Sequence, residues 1–327
     1  MTNRIKRKYI YWKDILERRK YNLKYSKGHQ VKIFNWSKVY SPDFWLINFI
    51  EKRGLLKNKP KLKIGLYSIF GPDWLTHFDN CNLRIFVARE NLHKDTMKQW
   101  EHQFIDDKRF QLSIGFDPLV HEQYIRIPFW MMWNTFQPTD MYEDIKSRVE
   151  YMNNPLNHSF KDRKFACFLC SHSDPIRQNL YTQLSSLGNV DCDGKGIHNN
   201  NTLHTVHNND KLSYLRDYRF NLTPENSNAP YYCTEKLMEA FQAGTIPIYY
   251  GCNNNPEPGI INSKAIIYIS RTDIPYSQLK FINELNQSEK KYMAFATQPC
   301  LLRGAEDIIW SYYENLENKL RDIINNI

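Results

Sequence analysis

The chain has 327 residues with 42% hydrophobic and 14% aromatic content, enough apolar mass for two modest domains with their own cores, which excludes a largely disordered protein. A net charge of +9 and an isoelectric point near 9.0 permit nucleic acid, anionic membrane or nucleotide partners without choosing among them. The seven cysteines are odd in number and form no compact framework, so reduced thiols are expected rather than disulfides.

Near the start no apolar run is long enough for a signal peptide or a membrane span. The expected location is cytoplasmic, with peripheral contact at a membrane surface left open. Residues 1–30 mix Tyr9, Tyr11, Trp12, Tyr21 and Tyr25 with lysines and arginines. No clean hydrophobic face repeats at helical spacing, so the segment reads as a packing extension rather than a membrane-surface helix. Strands are expected at Val31–Trp36, Lys61–Tyr67, Leu83–Val87, Gln111–Ile114 and Ile125–Ile127, with a helix over Pro42–Lys52. That mixture is an α/β domain. After Val87 the loop carries Arg89, Glu90 and Asn91, where a sheet presents reactive groups; taken alone, Glu90 reads as a solvated partner of Arg89 or Lys94.

The polar stretch 137–163 reads as a linker, giving a first domain at 1–150, a second at 151–300 and a C-terminal helix at 301–327. The second domain opens with a strand at Phe165–Leu169. Cys167 and Cys170 inside it read as buried small residues, since no second cysteine pair completes a zinc set. A helix follows to Leu187, and Arg177 lies one turn inside it, from where its guanidinium reaches a diphosphate bidentately. A surface arginine on an amphipathic helix is the plain alternative. Asp191 and Asp193 have the spacing of a carboxylate pair that bridges Mg²⁺ or Mn²⁺ to a nucleotide. We read them as a strand end and a loop, not as a metal site. His204 and His207, in an Asn-rich stretch, read as facing solvent.

Arg219–Gly251 concentrates the chemistry. Arg219–Leu222 reads as a strand, the residues from Thr223 to Pro230 as a polar turn, and Thr234 as an N-cap. Glu235–Ala243 reads as a helix with Leu237, Ala240 and Phe241 on one face, stopped by Gly244; Ile246–Tyr250 is a second buried strand closed by Gly251. The helix N-terminus suits a phosphate, and Lys236 adds a full charge. Glu225 or Glu235 can accept hydrogen bonds from sugar or ribose hydroxyls, and Asn226, Tyr231 and Tyr232 crowd the same loop. The Glu-Lys pair alone reads as solvated. Ala265–Ile269 is then an apolar strand, Ser277–Leu285 a helix, and Ala305–Asn326 a helix with Ile309, Leu316 and Leu320 on its apolar side.

Glu225-Asn-Ser, Tyr232-Cys-Thr-Glu-Lys236 and Gly244-Thr-Ile-Pro-Ile-Tyr-Tyr-Gly251 together resemble the signature of the α-1,3/4-fucosyltransferases, glycosyltransferase family 10, in patches from Leu83 to Tyr268. Cys233 stands where the family usually has Val, and Tyr250 where it has Trp. In layout the chain is similar to the soluble bacterial-type members. The resemblance implies an α/β fold of GT-B type, with two facing Rossmann-like domains and the active site in the inter-domain cleft. It also implies inverting transfer of L-fucose from GDP-fucose to a hydroxyl, expected to be O3, of a GlcNAc- or Glc-containing glycan.

By the same resemblance Phe86–Asn91 matches the family's base-bearing loop, with Glu90 as general base and Arg89 where the family has Gly. Arg177 and Lys195 would face the donor, Thr234 and Lys236 the departing GDP, and Glu225, Asn226, Tyr232 and Glu235 the fucose and ribose hydroxyls. No metal is expected to be required, with stimulation by a divalent ion left open. The expected partners are GDP-fucose and an oligosaccharide or glycoconjugate acceptor. Nucleic acid is not expected, because no binding motif appears and the lysines are scattered. The alternatives are a same-fold transferase using another nucleotide sugar and a catalytically silent glycan-binding protein.

Overall fold

The computed structural model describes residues 3–36, 45–77, 79–133 and 135–327. The chain divides into two compact units, Met1–Thr139 with Ser311–Ile327, and Asp140–Trp310.

The first unit begins with α1 (Asn3–Ser26), followed by β1 (Val31–Phe34), α2 (Trp45–Lys52), β2 (Ile64–Tyr67), β3 (Leu83–Val87), β4 (Leu112–Gly115) and β5 (Tyr124–Arg126). The five strands pair in parallel in chain order. Runs such as Ile64–Tyr67 and Leu112–Gly115 are buried along their whole length, as expected of parallel strands covered on both faces. The expected N-terminal extension is a 24-residue helix. Its Asn22 side chain accepts from the Trp36 N–H at 3.0 Å and donates to the Trp36 carbonyl at 3.1 Å, which clamps the helix along the β1 edge. The start of the expected second helix, Pro42–Phe44, lies outside the described residues; the helix itself begins at Trp45. Tyr313 packs its ring on Trp45 and Phe49, and Arg53 pairs with Glu317 at 2.9 Å, so the final stretch of the chain belongs to this core.

The second unit runs α3 (Tyr142–Met152), β6 (Lys164–Cys167), α4 (Pro175–Ser185), β7 (Val190–Asp191), α5 (Thr202–Thr205), α6 (Lys211–Leu215), β8 (Tyr218–Pro224), α7 (Glu235–Ala243), β9 (Ile246–Tyr250), β10 (Ile267–Tyr268), α8 (Tyr276–Gln287), α9 (Glu289–Ala296) and the first turn of α10 (Ala305–Asn325), up to Trp310. Its sheet is parallel in the order β10-β9-β8-β6-β7. The chain therefore starts in the middle, goes one way to β7, then reverses to build β8, β9 and β10. The reversal leaves a crevice beyond the carboxyl ends of β6 and β8, where open α/β sheets bind ligands.

The polar stretch 137–163 differs from the sequence reading. The expected linker is α3, whose Ile145, Val149 and Met152 form one buried stripe on an otherwise polar helix packed beside α7. One apolar residue per turn is too sparse to stand out from a polar stretch, yet it suffices to dock the helix. The units part at 139/140, and the expected C-terminal helix is α10, whose residues from Ser311 onward count with the first unit.

Candidate active site

The switch point holds a cavity of about 430 Å³ lined by Arg177, Leu180, Pro224, Asn226, Tyr250 and Arg271 among others, within the usual size of a small-molecule site. Its cationic wall begins with α4. Asp174 caps that helix by accepting from the Arg177 N–H at 2.9 Å, and Pro175 pre-sets its first turn. The Arg177 guanidinium donates to the His172 carbonyl at 3.1 Å and to Asn226 Oδ1 at 2.6 Å, so it is braced by loops following both switch-point strands. Arg271, beyond β10, adds a second guanidinium to the lining. No sequence motif marks it; only the strand order brings it here.

Beside the cavity Glu225 is a centre of local order. Its side chain is 0% exposed. The Thr234 N–H donates to its Oε1 at 2.7 Å, the Thr234 hydroxyl to its Oε2 at 2.7 Å, and the Lys236 ammonium to the same oxygen at 3.0 Å. Lys236 also donates to the Thr234 hydroxyl oxygen at 2.8 Å. Gly251 makes room for this cluster: it sits at φ +152°, and a Cβ there would stand 2.7 Å from Glu225 Cγ. Burial pushes the Glu225 carboxyl up, opposed by the Lys236 charge and the Thr234 donors. Burial would lower Lys236, but Glu225 and Glu235 outweigh it and hold the ammonium above the ordinary lysine range. Burial would raise Glu235, whereas Lys236 and Lys211 hold it below the usual carboxylate range. Lys236 is therefore a fixed positive charge at the first turn of α7.

One expectation changes in detail. Thr234 occupies the N-cap position of α7 without a side-chain capping bond, because its hydroxyl serves Glu225 and Lys236 instead. Glu225 is brought to the cavity lining, with its oxygens engaged by Thr234 and Lys236, whose positions it fixes. Tyr232 is buried, and Tyr231 before it is held at φ +59°, a left-handed conformation a bulky residue rarely adopts. Lys195 is exposed on a loop whose Gly194 and Gly196 press against the backbone of Cys170 and His172, where any Cβ would come within 2.3 Å. It is held near the Arg177 loop but does not line the cavity.

The two aspartates have structural partners. Asp191 accepts from the Tyr218 hydroxyl at 2.8 Å, and Asp193 accepts from the Leu203 N–H at 2.7 Å. Among the described residues no group of three or more His, Cys, Asp or Glu side chains is arranged to hold a metal ion. Cys167 and Cys170 are buried free thiols. His207, expected to face solvent, is half-buried with its ring turned inward, bonded to Ser213 Oγ at 2.9 Å and Asp217 at 3.1 Å.

Glu90 lies in the first unit, three residues past the carboxyl end of β3. It is buried, not solvated: Oε1 accepts from the Asn91 N–H at 2.8 Å and from Lys94 at 3.1 Å. Arg89, where the resembled family has Gly, turns inward and places its guanidinium over Phe129, Trp133 and Trp36 at 5.0, 5.6 and 5.8 Å. The larger residue thus fills an aromatic cage and leaves the Glu90 loop beyond the carboxyl end of β3, the central strand of its sheet. Next to it His93 bonds Asp117 at 2.7 Å, a pair not singled out from the sequence.

Comparison with solved structures gives the class. A crystal structure of an α1,3-fucosyltransferase matches with a TM-score of 0.55 at 19% identity, covering 88% of this chain and 89% of that one. A second, of an α1,3-fucosyltransferase with GDP-fucose, matches with a TM-score of 0.53 at 20% identity over 88% and 89%. At that identity the likeness establishes the fold, which is GT-B. Residues 31–133 match the α-(1,3)-fucosyltransferase FucT N-terminal domain, and residues 159–297 match the C-terminal part of glycosyltransferase family 10 (fucosyltransferase). The two matches take in most of the chain, which belongs to glycosyltransferase family 10.

Among curated relatives, the α-(1,3)-fucosyltransferase FucT of Helicobacter pylori is 31% identical over 166 residues, covering 43% of this chain and 34% of that protein. GDP-fucose protein O-fucosyltransferase 3 of Xenopus tropicalis is 27% identical over 180 residues, 52% and 36% of the two chains. The chain spans about a third of the length of the curated relatives it matches.

Proposed function

We propose that the protein transfers L-fucose from GDP-fucose to a hydroxyl, O3 in our reading, of a GlcNAc- or Glc-containing glycan, with inversion at the anomeric carbon. The observation that carries this reading is the switch-point cavity with two arginines on its lining and the fixed Lys236 charge beside it, in a chain of this family. Those cations suit a nucleoside diphosphate. The acceptor hydroxyl oxygen forms its bond to the anomeric carbon as the bond from that carbon to the β-phosphate oxygen breaks. Glu90 takes the hydroxyl proton, and the electron pair of the broken bond leaves on GDP. Arg177, Arg271 and Lys236 would stabilise the growing phosphate charge without a metal ion. The pocket walls of Leu180, Pro224 and Tyr250 suit the planar base.

Relatives are named for different acceptors, a galactosyl-N-acetylglucosaminide in one case and protein in another, so the acceptor rests on our reading of the signature. The testing experiment is calorimetric titration with GDP-fucose, GDP-mannose and UDP-galactose in EDTA, followed by product analysis on Gal-GlcNAc, lactose and a folded-protein acceptor. Selective GDP-fucose binding and a fucosylated O3 of GlcNAc or Glc are expected. Binding of another donor, or loss of all transfer in EDTA, would sink the donor assignment or the metal-free account respectively.

A further inference from the structure

We infer that α1 is a docking surface for a membrane carrying anionic lipid. The first 27 residues contain ten basic and two acidic side chains, so they hold nearly all of the chain's net charge of +9. On the helix itself, Ile15, Asn22 and Ser26 face the β1 edge: Ile15 is buried, Asn22 clamps Trp36, and the Ser26 hydroxyl accepts from the Ile33 N–H at 3.1 Å. At 3.6 residues per turn, Trp12, Leu16 and Leu23 fall together on another side. They are 50%, 56% and 62% exposed, and Tyr9 beside them is 61% exposed. Exposed Arg19, Lys13, Lys20 and Lys24 flank this stripe.

The patch extends beyond the helix. Trp12 meets the exposed ring of Trp74 at 6.3 Å. Between α1 and the sheet lies a groove of about 700 Å³, with Leu23, Ile33 and Phe34 on its walls and Arg18, Lys27 and Lys32 around it. An aromatic and aliphatic stripe with cationic borders matches an interface of apolar chains under anionic headgroups, where indole rings settle at the boundary and lysines meet phosphates. A second copy of the chain would bring the same positive charge to the contact and be repelled. The stripe escapes sequence periodicity because lysine and tyrosine interrupt it. It becomes visible once the residues that pack inward are known.

Co-sedimentation of the full chain with phosphatidylcholine vesicles, with and without phosphatidylglycerol, tests the inference. We expect binding to the anionic vesicles that is about tenfold weaker on the zwitterionic ones and falls with added salt. Trp12→Ser with Leu16→Ser and Leu23→Ser, and separately Lys13→Glu with Lys20→Glu and Lys24→Glu, should each reduce binding about tenfold, with thermal unfolding and GDP-fucose binding unchanged. Equal binding to both vesicle types, no binding, or unaltered binding by the apolar variant would overturn it. So would self-association that the apolar variant abolishes, or capture by RNA without capture by vesicles.

Discussion

Arg177 of α4 and Asn226 beyond β8 meet across the switch point, Nη2 to Oδ1 at 2.6 Å, while the same guanidinium holds the His172 carbonyl. Its planar fork is thereby set before any ligand arrives. Arg177→Lys keeps the charge but loses that fork, and GDP-fucose affinity is expected to fall about ten- to hundredfold with the melting temperature nearly unchanged. Arg271→Ala should weaken binding by a smaller factor, since Arg271 lines the cavity while Arg177 is the guanidinium held in place by both switch-point loops. Calorimetry on both variants checks this; unchanged affinity in Arg177→Lys would remove the arginine from the donor site.

Thr234 donates its N–H and its hydroxyl to a fully buried carboxylate, so the stability of the α7 start rests on Glu225. Thr234→Val preserves shape and deletes the hydroxyl, leaving Glu225 and Lys236 each short of one partner. The expected loss is about 1–3 kcal/mol of stability in denaturant unfolding. Glu225→Gln would set its amide N–H groups against either the Lys236 ammonium or the Thr234 N–H, both donors, and cost about 3–5 kcal/mol. A Glu225→Gln protein as stable as the parent would show that the buried pair contributes nothing.

Glu90 is positioned by its neighbours rather than left in solvent, and its isosteric variant separates chemistry from binding. Glu90→Gln should abolish most transfer while GDP-fucose titrates as before. Parallel loss of transfer and donor binding would instead mark Glu90 as a structural residue.

His158 carries a pH dependence. Its Nδ1 bonds the Gly244 carbonyl at 2.9 Å, and burial together with the nearby Arg163 charge lowers it from 6.5 to about 4. The unfolded chain binds the proton more readily, so this stability is fully present above pH 6.5 and is lost as pH falls toward 4. The loss amounts to at most about 3 kcal/mol. His158→Gln should flatten the stability profile in that window, measured by urea unfolding from pH 4 to 7; an unaltered slope would assign the acid sensitivity to other groups.

Much of the second unit was legible locally. The helix Glu235–Ala243 and the strand Ile246–Tyr250 appear with the expected bounds, and Gly244 stops the helix at φ +66°. A 3.6-residue apolar repeat, a residue tolerant of left-handed backbone and a β-rich run are each visible within a dozen residues. Leu83–Val87 is likewise as read. Glu90 and Arg177 were found through motif resemblance, and their strand-end and helix-start settings agree with the local pattern.

Strand order was not legible, because pairing between β6 and β8 depends on contacts across some fifty residues that no local period encodes. That order alone creates the switch point and carries Arg271 to the Arg177 wall. Burial of Glu225 was hidden for a related reason: it depends on Gly251 beyond the next strand leaving space where a Cβ would collide. The sequence by itself determined which segments become helix and strand and which loops carry charge, since propensity, capping and period are short-range. Tertiary structure decided which of those charges face a cavity, which turn inward on one another, and which side of α1 is left to solvent, since each depends on what packs against it.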